Sequence, residues 1–71
     1  MGHEIRAEMV ANVMSVVAHE GQAIAEGDTI VVLESMKMEI PVLAEGDGHL
    51  SKVAVTAGDV VQEDDLIALV E

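Results

Sequence analysis

The chain is 71 residues long and carries fourteen carboxylates against three cations, Arg6, Lys37 and Lys52, for a formal net charge of −11. That length makes a single domain, 1–71, which buries only about 60% of the surface its unfolded form exposes and leaves no room for a deep catalytic cleft. The charge excludes the basic stripe of a nucleic-acid-binding domain and any attraction to an anionic membrane, and it suits a solvated acidic surface.

Apolar residues make up 51% of the chain, which excludes a disordered segment. With no cysteine there is no disulfide framework and no zinc–thiolate site. The start "MGHEIR" lacks a signal-peptide pattern and has Arg6 where a myristoylation signal needs Ser or Thr. No apolar run reaches the length of a membrane span. A cytoplasmic monomer is the expectation.

Twelve valines and five isoleucines favour strands. In chain order the apolar runs are "NVMSVV" (12–17), "TIVVLE" (29–34), "IPVLA" (40–44), "HLSKVAV" (49–55) and "LIALV" (66–70). Breaks at Gly21, Gly27, "EGDG" (45–48) and Gly58 separate them. Short strands between turn signals predict an all-β barrel or sandwich. Pro41 cannot donate a ladder hydrogen bond, which predicts an edge or irregular position for its strand.

The chain also repeats itself. Shifting residues 4–34 by 37 positions matches Ala7 with Ala44, Glu8 with Glu45, Val16 with Val53 and Gly21 with Gly58. It also matches Glu26 with Glu63, Asp28 with Asp65, Ile30 with Ile67 and Glu34 with Glu71. Two such halves predict a pseudo-twofold domain in which each half completes the other's core. Glu34 and Glu71 end the two copies, so the chain ends belong at one end of the domain and Lys37 at the other. Gly21 and Gly58 suit positive-φ turn positions. Ile24 and Val61 are expected to point into the core, and Asp28 and Asp65 to accept local backbone N–H bonds.

"TIVVLES" and "MEIPVLA" read as strands meeting around Met36-Lys37, which puts Lys37 at a hairpin tip. A lone lysine at a turn is ordinarily just solvated. Its neighbours are not ordinary, because exposed turns carry polar residues, whereas flexible, polarizable methionines suit an adaptable contact surface.

Residues 34–39, "ESMKME", resemble the attachment motif of the biotinyl/lipoyl domain family, whose usual core is Ala/Ser-Met-Lys-Met. The resemblance runs from about Ile5 to Val70 and includes the repeat, the central lysine and the paired glycine–acid turns. It implies a flattened barrel of two four-stranded antiparallel sheets related by a pseudo-dyad, with the attachment lysine in a hairpin. By the same resemblance, biotin is joined to Lys37 by a biotin protein ligase. Glu34, Ser35, Met36 and Met38 then form the recognition motif. The chain would carry carboxybiotin between the biotin carboxylase and carboxyltransferase components of a biotin-dependent carboxylase. It would itself hold no catalytic residue.

Ser35 stands where alanine is commonest, and the "thumb" insertion of some acetyl-CoA carboxylase carriers is missing. Related lipoyl domains flank their lysine with Asp and Ala instead of methionines, so the motif falls on the biotin side. A lipoyl carrier and an unmodified adaptor that uses the Met-Lys-Met tip for contact are the competing readings. Lys52 reads as a solvated strand lysine whose face the alternation does not fix. His3, His19 and His49 lack metal-ligand spacing and read as surface residues. Asp59, Glu63, Asp64 and Asp65 read as turn and surface charges.

Overall fold

The computed structural model describes residues 2–71. Its eight strands are β1 (His3–Arg6), β2 (Ala11–Val16), β3 (Ala23–Ile24), β4 (Thr29–Ser35), β5 (Met38–Leu43), β6 (Gly48–Val53), β7 (Val60–Val61) and β8 (Leu66–Val70). They form two four-stranded sheets with the orders β1-β8-β6-β3 and β5-β4-β2-β7. Every pairing is antiparallel.

The five apolar runs correspond to β2, β4, β5, β6 and β8. The pattern missed the other three for plain reasons. β1 reads HEIR, with a single apolar residue, and β3 and β7 are two residues each, too short to show a period. The expected insertion of Ile24 and Val61 into the core is what the structure shows. Pro41 lies on β5, an edge strand, where its missing N–H leaves no ladder bond unmade.

The repeat of 37 holds in three dimensions. It carries Ala11–Val16 onto Gly48–Val53, Ala23–Ile24 onto Val60–Val61, and Thr29 onto Leu66, the first residue of β8. It also carries β1 onto the second part of β5. One sheet order thus maps onto the other, β1-β8-β6-β3 onto β5-β4-β2-β7. Each sheet takes two strands from each half, so neither half can close a core alone.

The connecting hydrogen bonds are duplicated too. Ala7 N–H donates to the Asp65 carbonyl and Ala44 N–H to the Asp28 carbonyl, at 2.9 and 2.8 Å. Asp28 Oδ2 accepts from Ala25 N–H at 2.9 Å, and Asp65 Oδ2 from Gln62 N–H at 2.8 Å. These carboxylates close the turns that launch β4 and β8.

The core is aliphatic and follows the same symmetry. Ile30 and Ile67 are fully buried, as are their successors Val31 and Ala68. Two adjacent inward residues break strand alternation, and bulges explain it. The β4–β5 register skips Ile30, and the β1–β8 register skips Ile67. Matching shifts lie between Val13 and Ser15 on β2 and between Leu50 and Lys52 on β6. The bulge on β6 turns Leu50 inward and leaves Lys52 exposed, which settles the face that alternation left open.

Backbone conformation follows the repeat with one departure. Gly21 and Gly58 have φ of +90° and +98°, and Gly27 has +91°, but the position equivalent to Gly27 is Asp64, at +75°. An L-residue there carries a left-handed penalty that glycine avoids. Asp64→Gly is expected to raise stability by some tenths of a kcal/mol, whereas Gly58→Ala should lower it by about 1 kcal/mol. No atom lies within 4 Å of the methyl that Gly58→Ala adds, so only backbone strain would be read. Urea unfolding of both variants checks the two signs.

His3 corrects one expectation. His19 and His49 are exposed, but His3 is half-buried with Nε2 shut from solvent and unpartnered. Its ring lies 3.5 Å from where a Cβ on Gly46 would stand, an ordinary contact distance that sets His3 against the Gly46 loop.

The ends of the chain meet. A Cβ on Gly2 would lie 2.9 Å from the Val70 carbonyl, and Glu71 exchanges backbone hydrogen bonds with His49. Gly48, beside His49, pairs with Ile24, and Glu26 N–H donates to Asp47 Oδ1. These loops surround Gly27 and Ala44, at the Thr29–Leu43 end of the β4–β5 pair. Lys37 lies at the other end, about 20 Å away along seven residues of β4.

Candidate functional site

Six register pairs align β4 with β5, from Thr29↔Leu43 to Ser35↔Met38, and leave Met36 and Lys37 as a two-residue connection. Met36 has φ +53° and Lys37 +65°. Positive φ at both central positions is what a type I′ hairpin requires, and Asn-Gly is its preferred sequence. Met-Lys is a poor choice for such a turn, because each residue carries a left-handed penalty of about 1 kcal/mol. The surrounding sheet holds the turn against that preference.

Met36→Asn combined with Lys37→Gly is therefore expected to stabilise the domain by about 1–2 kcal/mol. A higher urea midpoint for the pair would show that stability was given up here for side chains the fold does not need.

Lys37, Met36 and Met38 are all exposed, while Glu34 and Ser35 are half-buried on β4. The structure thus gathers the five sequence-marked residues at one tip. Glu34 pairs directly across from Glu39, so two like charges face each other at the root of the turn. Such a pairing is unfavourable by itself. Among the described residues the one ion pair joins Arg6 to Glu4, at 2.8 Å, which leaves the Lys37 amine untied. Among the described residues no group of His, Asp and Glu could hold a metal ion.

An amine on a fixed turn, exposed and unpaired, suits covalent attachment of a carboxylic acid. Attachment needs a reproducible approach to the nitrogen and nothing that must first be displaced.

Comparison with known proteins gives this tip a family. The model of the Biotin_lipoyl family, described as "Biotin-requiring enzyme", matches residues 3–70. The chain belongs to the biotin/lipoyl family. A "Biotinylated protein TB7.3 homolog" from Mycobacterium leprae is 57% identical over 70 residues, covering 99% of both chains. A "Biotin-dependent acyl-coenzyme A carboxylase alpha3 subunit" from the same organism is 42% identical over 67 residues, covering 94% of this chain and 11% of that subunit. Among solved structures, the urea carboxylase of Kluyveromyces lactis superposes with a TM-score of 0.93 at 28% identity, covering 100% of this chain and 6% of that enzyme.

Biotin is thus the cofactor of this chain's family, and the two-sheet architecture expected from the resemblance is the one observed. At family level this biotin/lipoyl domain is an attachment and carrier domain, of the kind found in biotin-dependent carboxylases.

Sequence reasoning passed over two residues at the tip. Val10 and Val60 are exposed and line the same shallow hollow as Met36 and Lys37. The repeat held the signal, since their equivalents 37 positions away are Asp47 and Ala23.

Proposed function

We propose that the domain is the biotin carboxyl carrier of a biotin-dependent carboxylase and that the biotin is attached to Lys37. The observation that carries this reading is the strained Met36-Lys37 turn, which presents an untied amine inside the motif "ESMKME".

Biotin protein ligase is the attaching enzyme in this reading. An ammonium nitrogen has no free electron pair, so the ligase must take up the proton of the Lys37 side chain before attack. The neutral nitrogen then attacks the activated carboxyl carbon of biotinyl-adenylate. An amide forms, the acyl–phosphate bond breaks and AMP leaves. One positive charge is lost, which moves the chain one unit beyond its −11.

Once bound, biotin supplies a site that accepts and releases a carboxyl group. The chain's own residues position it. β4 and β5 hold the turn rigidly, the exposed methionines let it enter partner sites, and tethering raises the local concentration of the carried group at the second site. The biotin carboxylase and carboxyltransferase components are the partners, the cytoplasm is the compartment, and the domain acts as a monomer without a catalytic role of its own. The methionines on both sides of Lys37 favour this reading over a lipoyl carrier.

Intact mass after incubation with biotin, ATP and a biotin protein ligase tests the reading. One biotinyl increment is expected. An unchanged mass under conditions that load a known carrier overturns it.

A further inference from the structure

The pseudo-twofold repeat lets the fold serve as its own control. Each exposed position in one half has an equivalent in the other, built on the same local backbone. A residue that the fold requires should recur; one that serves contact need not.

Eight large apolar side chains are exposed among the described residues: Met9, Val10, Met14, Val17, Met36, Met38, Leu43 and Val60. Single exposed apolar residues are ordinary, but these share one sheet and its connections. Each belongs to the sheet β5-β4-β2-β7, to its lysine turn, or to the segments entering and leaving β2. The sheet β1-β8-β6-β3 exposes none. The equivalents of the six that have one among the described residues are Gly46, Asp47, Ser51, Ala54, Arg6 and Ala23, all small or polar. The fold is therefore built without these apolar groups when they are not wanted.

The ones nearest the lysine are the most exposed. Met36 is 88% exposed, Val60 63% and Val10 62%. Val10 and Val60 approach the turn from the far side of β2, because Asn12 pairs with both Glu34 and Val60. Met14, 42% exposed, lies two residues beyond Asn12 on β2. Acidic groups edge these residues, with Glu34 and Glu39 at the root of the turn and Asp59 beside Val13.

Lys52 sharpens the point. It is also exposed, yet it sits on the sheet with no exposed large apolar group. An enzyme that acylates one of two accessible lysines must read what surrounds the lysine.

We propose that Val10, Met14 and Val60 form, with Met36, the docking face for the ligase that acylates Lys37, and that the ligase meets it with an apolar centre and a basic rim. The proposal rests on the carrier reading above. It extends recognition from the linear motif to a surface assembled from β2 and β7, more than twenty residues away in sequence on either side.

The test copies the other half of the molecule. The variant Val10→Asp/Met14→Ser/Val60→Ala places at each position the residue that already occupies its equivalent. Its melting temperature should stay within a few degrees of wild type. With biotin, ATP and ligase, kcat/KM for the protein substrate should fall at least tenfold. The fall should come through a raised KM with little change in kcat, as for lost binding contacts. An unchanged kcat/KM overturns the docking face. A wild type that takes no biotin overturns the carrier reading instead. If the triple variant does not fold, Val10→Asp and Val60→Ala taken singly decide the matter by the same ratio. A wild-type dimer that the variant loses, with biotinylation unimpaired, would assign the face to a second copy and overturn the proposal.

Discussion

Lys37→Arg is expected to abolish the biotin mass increment, and Lys52→Arg to leave it whole. The chain has two lysines, so the pair of variants assigns the attachment without further mapping. Arginine is the informative replacement. It keeps the positive charge at the tip and asks the same positive φ of the backbone, so the hairpin survives. What it removes is an amine that can lose a proton, since guanidinium stays protonated at any ligase-compatible pH. Loss of the increment with an unchanged melting curve therefore locates the chemistry at the Lys37 nitrogen. Persistence of the increment in Lys37→Arg would move the attachment to Lys52 and remove the basis of the carrier reading.

Ile30→Ala and Ile67→Ala are expected to produce the largest losses of stability, and nearly equal ones. Both side chains are fully buried at the bulges where β4 and β8 turn two successive residues inward. Truncating a buried isoleucine costs about 2–5 kcal/mol, from lost transfer free energy and the cavity left behind. A domain of this length has a total of only about 4–10 kcal/mol to lose. Each variant should melt at least roughly 10 °C lower, and some of the population should be unfolded at 37 °C. Equality is the more demanding part, because the two residues are 37 positions apart and come from opposite halves. A large difference measured by calorimetry would mean that the halves, though alike in backbone, share the core unevenly.

Much of this arrangement was legible in the residues. The paired Asp28 and Asp65 turns, the inward Ile24 and Val61, and the edge position of Pro41 follow from local chemistry that needs no tertiary information. What stayed hidden depends on contacts between distant segments. β1 is a strand because β8 offers it a partner, not because "HEIR" has a pattern. The face of Lys52 is decided by a bulge, which inserts a residue without changing composition. His3 is half-buried because the Gly46 loop, more than forty residues on, packs beside it. At the tip, the linear motif marked Glu34 to Met38, but Val10 and Val60 join it only once β2 and β7 are laid beside β4.

The placement of Gly2 beside Glu71, remote from Lys37, has a mechanical consequence. The domain measures 33 × 18 × 17 Å and is elongated for its size. A partner that holds it by the Gly2–Glu71 end makes that end a pivot and Lys37 the moving point of a lever about 20 Å long, the run of β4. A swing of one radian then displaces the lysine by roughly 20 Å. Distance between two workstations would be covered chiefly by rotation of the folded body, and the flexible side chain would be left to make only the final insertion.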